Sequence, residues 1–225
     1  MGSCMIVTLF FFACNTAFGG VMLSTSIQNG SFESGLTNFS VVGNATIETA
    51  AFGSGPTDGT SQALLFTGDP TVTDEEIETF LGLSPGELNA LADVPLDPLD
   101  PLGPFGPLDP FDDVTSGSAI SQSITGQAGD VLSFDSNFLT DEPEQDGTFN
   151  DFAFFSLANA QGATVIADTL SELSPSLTSF EDETGFSTTT FVLPSSGTFT
   201  LGFGCLLYTS PSPRDQRGSR MPSSA

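Results

Sequence analysis

Between residues 39 and 203, apolar side chains recur at alternate positions in short runs, and clusters of Gly, Asn, Asp, Ser and Pro separate one run from the next. A period of two is that of a half-buried strand, whose successive side chains point to opposite faces. The runs predicted as strands are 39–49, 62–67, 119–125, 131–139, 151–157, 164–167, 187–193 and 198–203. Within them Leu132, Phe134 and Phe138 share one face, as do Phe199, Leu201 and Phe203. Strands with one apolar face must bury it against a second sheet. The pattern therefore predicts an all-β fold, a two-sheet antiparallel β-sandwich of the jelly-roll type.

Two stretches break the period. Thr73 with Glu76 and Ser84 with Glu87 stand at capping-box spacing, and Pro85 fits the first position of a helix. They predict short helices over 74–81 and 85–92, a helical insertion (73–92) expected to cover a sheet edge or an open end of the sandwich. Next comes PLDPLDPLGPFGPLDPF, with Pro at 95, 98, 101, 104, 107 and 110. Proline every third residue matches polyproline II, so 94–113 reads as a Pro-rich loop, one edge proline and a second Leu and Phe.

The ends read differently from the middle. Residues 5–13, MIVTLFFFA, form an apolar run too short to span a bilayer as a helix. Ala17-Phe18-Gly19 follows with small residues at cleavage-site spacing, so 1–19 reads as a signal peptide cut after Gly19. The alternative for the same run is a buried strand. Beyond Gly204 the composition changes abruptly: Arg214, Arg217 and Arg220 are the only Lys or Arg in the chain, and Tyr208 is its only Tyr. Residues 205–225 resemble translated sequencing-adapter sequence and are set apart as a disordered tail, leaving 20–204 as the single sandwich domain. Of the three cysteines, Cys4 and Cys14 fall in the leader and Cys205 in the tail, so stability of the domain must come from burial or metal.

Charge narrows the classes of function. The 225 residues carry 28 Asp and Glu against 3 Arg, with no His, for a formal net charge of −25. Such a chain repels nucleic acid and anionic membranes. Without His or Lys, much acid–base and Schiff-base chemistry is closed to it. With 22 Phe it can still build a core.

Acid-rich loops supply the candidate chemistry. In NFLTDEPEQDGTFNDFAFFSL, residues 137–157, Asp141, Glu142, Glu144, Asp146 and Asp151 crowd between two Phe-rich strands. A hard divalent cation is the economical counter-charge, and Glu142, Asn150 and Asp151 are the preferred Ca2+ ligands because they stand at strand ends; a solvated acidic loop is the alternative. A carboxylate-dependent glycosidase would pair Glu142 with Asp151 or Glu181, but a catalytic acid needs burial to raise its pKa, and these acids lie in Gly/Pro/Asp-rich loops. NGSFESG, residues 29–35, is similar to the opening strand of carbohydrate-binding and galactose-binding-like jelly-roll modules. That resemblance implies Ser31 as a carbonyl donor and Glu33 as a side-chain ligand of a structural Ca2+.

Taken in order, NGSFESGLTNF, FGSGPTDGTSQALLFTG, TDEEIETFLGLSPGELNAL, SAISQSITGQAGDVLSFDSNFLTDE, FNDFAFFSL and ETGFSTTTFVLPSSGTFTLGFG resemble the extracellular domains of PEP-CTERM sorting-domain proteins of Gram-negative bacteria. The resemblance spans 27–204 apart from the Pro-rich loop. It implies a protein secreted to the outer cell surface or matrix and sorted by an exosortase in its full-length form. The Pro-Glu-Pro signal, apolar helix and basic end of that family are not in this sequence, so no membrane span is expected in it. The expected function is a non-enzymatic cell-surface or extracellular-matrix protein, in contact with extracellular polysaccharide or matrix components and stabilised by Ca2+. The alternative is a lectin-like carbohydrate-binding module. Exposed Trp and Tyr, the usual sugar platforms, are absent from 1–204.

Overall fold

The computed structural model describes residues 3–12, 27–92, 114–141 and 151–208. Its strands are β1 (Ser3–Phe12), β2 (Ser40–Val42), β3 (Asn44–Glu48), β4 (Gln62–Phe66), β5 (Val114–Gly126), β6 (Val131–Thr140), β7 (Phe152–Ala158), β8 (Gly162–Asp168), β9 (Ser174–Pro175), β10 (Asp182–Glu183), β11 (Ser187–Val192) and β12 (Gly197–Tyr208). They form two antiparallel sheets. The first runs β3-β4-β1-β6-β10-β9, with β11 also on β6; the second runs β2-β5-β12-β7-β8. The all-β sandwich follows from the alternation read in the sequence.

Phenylalanine fills the space between the sheets. Leu132, Phe134 and Phe138 of β6 and Ala63 and Leu65 of β4 face Ile120, Ile124, Phe155, Phe199, Leu201 and Phe203 from the second sheet, all of them buried. The Phe134 ring meets Phe203 edge-on at 4.9 Å and Phe155 at 5.1 Å. Each such side chain contributes on the order of 1.5–3 kcal/mol when fully removed from water.

The single strand expected over 39–49 is two. Gly43, with a left-handed φ of 75°, ends β2 in the second sheet and lets β3 begin in the first. A Cβ there would stand 2.6 Å from the Gly117 carbonyl oxygen, so a side chain would push the crossing strand off β5.

The helices, α1 (Asp74–Leu81) and α2 (Glu87–Ala92), form where the capping pairs stand. The Thr73 amide donates to Glu76 (3.0 Å) and the Glu76 amide to the Thr73 hydroxyl (3.3 Å). At the second pair only the Ser84 amide to Glu87 is formed (2.9 Å), and α2 opens at Glu87, two residues after Pro85. The insertion lies across the outer face of the second sheet and reaches its edge strand β8, where Glu87 accepts from the Ala163 amide. Ile77, Leu81 and Leu88 lie on the outer face of the second sheet, against Ala119, Phe152, Phe154 and Leu206. Glycine in β12 permits this approach: a Cβ on Gly202 would meet Leu81 at 2.6 Å. The LGFG run is thus small outward and apolar inward because Leu81 presses on Gly202 and the Phe154 ring lies over Gly204.

Segments read as lying outside the domain enter the sheets. Ser3–Phe12, read as part of a leader, lies as a strand between β4 and β6. β12 runs four residues past the boundary set at Gly204, and Cys205 and Leu206 are buried. The Pro-rich loop 94–113 lies outside the described residues. Among the described residues, no helix is long and apolar enough to cross a membrane.

Candidate functional site

The 29–35 turn is wound by left-handed residues. Asn29 (φ 58°), Phe32 (φ 57°) and Gly35 (φ 65°) alternate with ordinary backbone, and the Phe32 and Gly35 amides donate to the carbonyls three residues back. A left-handed φ is strained for a bulky aromatic residue. It is held here because Phe32 is buried in the main core with its ring 5.0 Å from that of Phe39. The Asn29 amide nitrogen closes the turn on the carbonyls of Gly35 (2.8 Å) and Thr37 (3.0 Å).

Driving Phe32 inward turns Glu33 outward, toward the segment that leads into β4. Its Oε1 accepts from the amides of Thr60 (2.5 Å) and Ser61 (2.9 Å), and its Oε2 from the Thr60 hydroxyl (2.7 Å). The Thr60 hydroxyl, first, and then the two amides hold its pKa below the ordinary value, outweighing desolvation. This is where the sequence expectation meets its limit. Calcium needs six to eight hard oxygens, and three protein donors already fill most of the acceptor capacity of this carboxylate. Ser31 is a half-buried turn residue beside it. As placed, Glu33 has little acceptor capacity left for a calcium ion and is a staple between the opening turn and β4.

Of the second expected set, Glu142 and Asn150 lie outside the described residues. Asp151 immediately precedes β7 and is buried, its carbonyl accepting from the Thr169 amide at 3.1 Å. Asp151 thus stands at a strand end as the sequence predicts, and its burial speaks against the alternative of a solvated acidic loop at this residue. Glu181 is exposed, its amide donating to Asp141 (3.0 Å). Among the described residues, no three or more His, Cys, Asp or Glu are gathered around a metal position.

Other acids have similar partners. Glu78, buried in α1, accepts from the amides of Gly86 and Leu88 at 2.9 Å each and so caps α2. Glu87 bridges α2 to the sheet, accepting from Ser84 and, at 2.8 Å, from Ala163. It stands at an open groove of about 530 Å3 between the α1–α2 connection and the β7–β8 turn. Asp74, also buried, accepts from the Asn89 side chain (2.8 Å). Burial, and then the neighbouring Glu75 charge, raise its pKa to about 6.

A polar cluster on the outer face of the first sheet had no sequence signal. Asn137 of β6, fully buried, donates to Glu183 (2.7 Å) and to the Ser54 hydroxyl (2.9 Å). Gln62 of β4, also buried, donates to the Ser54 carbonyl (2.6 Å). These bonds tie two covering loops to the strands beneath. Only their distant pairing makes the cluster, which no local spacing encodes.

Comparison with known proteins adds no assignment: no family model, no curated protein and no solved structure matches this chain.

Proposed function

We propose that this chain is a non-enzymatic extracellular protein, a sandwich of the outer cell surface or matrix, sorted by an exosortase in its full-length form. The observation that carries the reading is how the acids are used. In a chain of net charge −25, Glu33, Glu78 and Glu87 each spend carboxylate oxygens on two backbone amides. Carboxylates held this way cap helices and join loops, which is scaffold work, and exposed acids such as Glu75, Glu172 and Glu181 make the surface anionic. That surface suits hydrated polysaccharide and matrix with divalent cations as bridging counter-ions. Calcium is proposed in that diffuse role and not as a ligand of Glu33.

Two measurements on the purified protein test this together. Turnover on a panel of glycosides is expected to be nil, and thermal melts are expected to rise by the same small amount in Ca2+ and in Mg2+, with the gain lost on adding salt. Hydrolysis abolished by Glu142→Gln would contradict the non-enzymatic reading. A large shift specific to Ca2+ would contradict the diffuse role.

A further inference from the structure

Among the described residues, β2, β3, β8, β9 and β11 lie at sheet edges, and all but one of them are guarded against pairing with another chain. β2 is three residues long, and β9 is two with Pro175 among them. β3 closes on Glu48. β8 closes on Asp168, and its Ala163 amide is already taken by Glu87. Short length, proline and charge are the usual defences of a sheet edge. β11 has none of them. Its six residues, Ser187–Val192, read STTTFV, and residues 184–204 contain no charged side chain.

The register shows which groups of β11 face outward. β10 and β11 share one edge of β6. On that edge the Phe138 and Asp130 carbonyls accept from the amides of Thr184 (2.9 Å) and Leu193 (2.8 Å). Alternation along an antiparallel strand turns Leu132, Phe134 and Ser136 the same way, toward Phe191, Thr189 and Ser187. The amides and carbonyls of Thr188, Thr190 and Val192 therefore point away from β6. Side chains alternate as well. Phe191 packs on the main core with its ring 6.0 Å from that of Phe155. Those of Thr188, Thr190 and Val192 are exposed, Val192 to 57%.

We propose that the outer edge of β11 is a self-association surface: two copies of this chain join β11 to β11, antiparallel, about a two-fold axis at Thr190. The inference goes beyond the extracellular reading and does not rest on it, because β11 pairs with β6 and not with the segment read as a leader.

The two-fold fixes the pairs. Outward groups bond outward groups, so the fullest overlap sets Thr190 against Thr190 and Thr188 against Val192, with about six main-chain bonds. On the inner side Thr189 of one copy then comes beside Phe191 of the other and covers its half-buried ring. Charge argues for a second copy as the occupant. Glu181, Asp182 and Glu183 precede β11, and antiparallel pairing lays them beside the uncharged 197–199 of the other copy. A parallel pairing would stack these acids. Asp135 of β6, which accepts from the Thr188 hydroxyl, stands three strand spacings from its mate. That is about 14 Å, past the Debye length of about 8 Å at physiological ionic strength. A basic strand would find no carboxylate along 184–204 to pair with. Six residues a side are well below the roughly 20–30 of a standard interface, so the pair is weak and reversible. An isologous two-fold contact also closes at two copies.

The test follows the purified full chain, kept reduced, by sedimentation velocity from about 5 µM to about 1 mM. The expected result is a monomer–dimer equilibrium without larger species. The dimer fraction should rise with salt, because screening relieves repulsion between two chains of net charge −25. Thr190→Pro removes an outward amide and none that β6 uses, and Val192→Asp sets a carboxylate toward Asp135 of the other copy. Each is expected to weaken the dimer at least about tenfold and to shift the melting temperature by less than about 2 °C. A chain that stays monomeric at about 1 mM in physiological salt would overturn the inference. So would a dimer that both variants leave intact, or one that dissociates as salt is added. None of these results bears on export, which cell fractionation reads separately.

Discussion

Glu33 and Asp74 show how far the chemistry of a carboxylate depends on neighbours that the sequence does not reveal. The 29–35 motif marked Glu33 as special, and it is, but the donors on Thr60 and Ser61 lie 27 and 28 residues away. Asp74 was legible only as the first residue of a helix. Its burial beneath Asn89 comes from packing, and so does its pKa of about 6. An acid whose folded pKa is raised binds its proton more tightly in the folded state. Its contribution to stability is therefore fullest below about pH 4 and falls as pH rises through about 6. Asp74→Asn, which keeps an acceptor for Asn89, removes that dependence. Allowing for partial solvent screening, it is expected to raise the melting temperature by about 2–4 °C at pH 8 and to leave it unchanged near pH 3.5. Equal shifts at both pH values, read by calorimetry, would mean that the pKa of Asp74 does not change on folding.

At the scale of elements, local signals worked where the determinants are local. Thr73 and Glu76 start α1 where their spacing says, and the alternation in β6 puts Leu132, Phe134 and Phe138 in the core. What failed was placement. Nothing in DEEIETFL says which surface Ile77 and Leu81 will cover; that is decided by Gly202, more than a hundred residues later, whose missing side chain admits Leu81. The strand break at Gly43 is likewise legible as a glycine but not as a change of sheet, because β5, whose close approach requires it, begins at Val114. The apolar run at the start of the chain has the same hydropathy whether it is a leader or a central strand. Packing of the helices on β5, β7 and β12 has a direct consequence. Ile77→Ala opens a cavity at a fully buried position and is expected to cost about 2–5 kcal/mol. In hydrogen exchange, amides of α1 and α2 should lose protection before those of β6. Uniform loss across both sheets would show that the cap and sandwich unfold as one unit.

For the whole molecule, the absence of cations through residues 1–213 ties fold to setting. Buried phenylalanine holds the sheets together, carboxylates take the amides that helix ends and loops leave over, and the excess negative charge faces outward. Export is the claim on which the proposed function depends. It is tested most directly by expressing the full chain in a Gram-negative host and fractionating the cells. The account predicts protein in the outer-surface and extracellular fractions, with an intact mass that begins at Gly20. Protein confined to the cytosol, with residues 1–19 still attached, would contradict it.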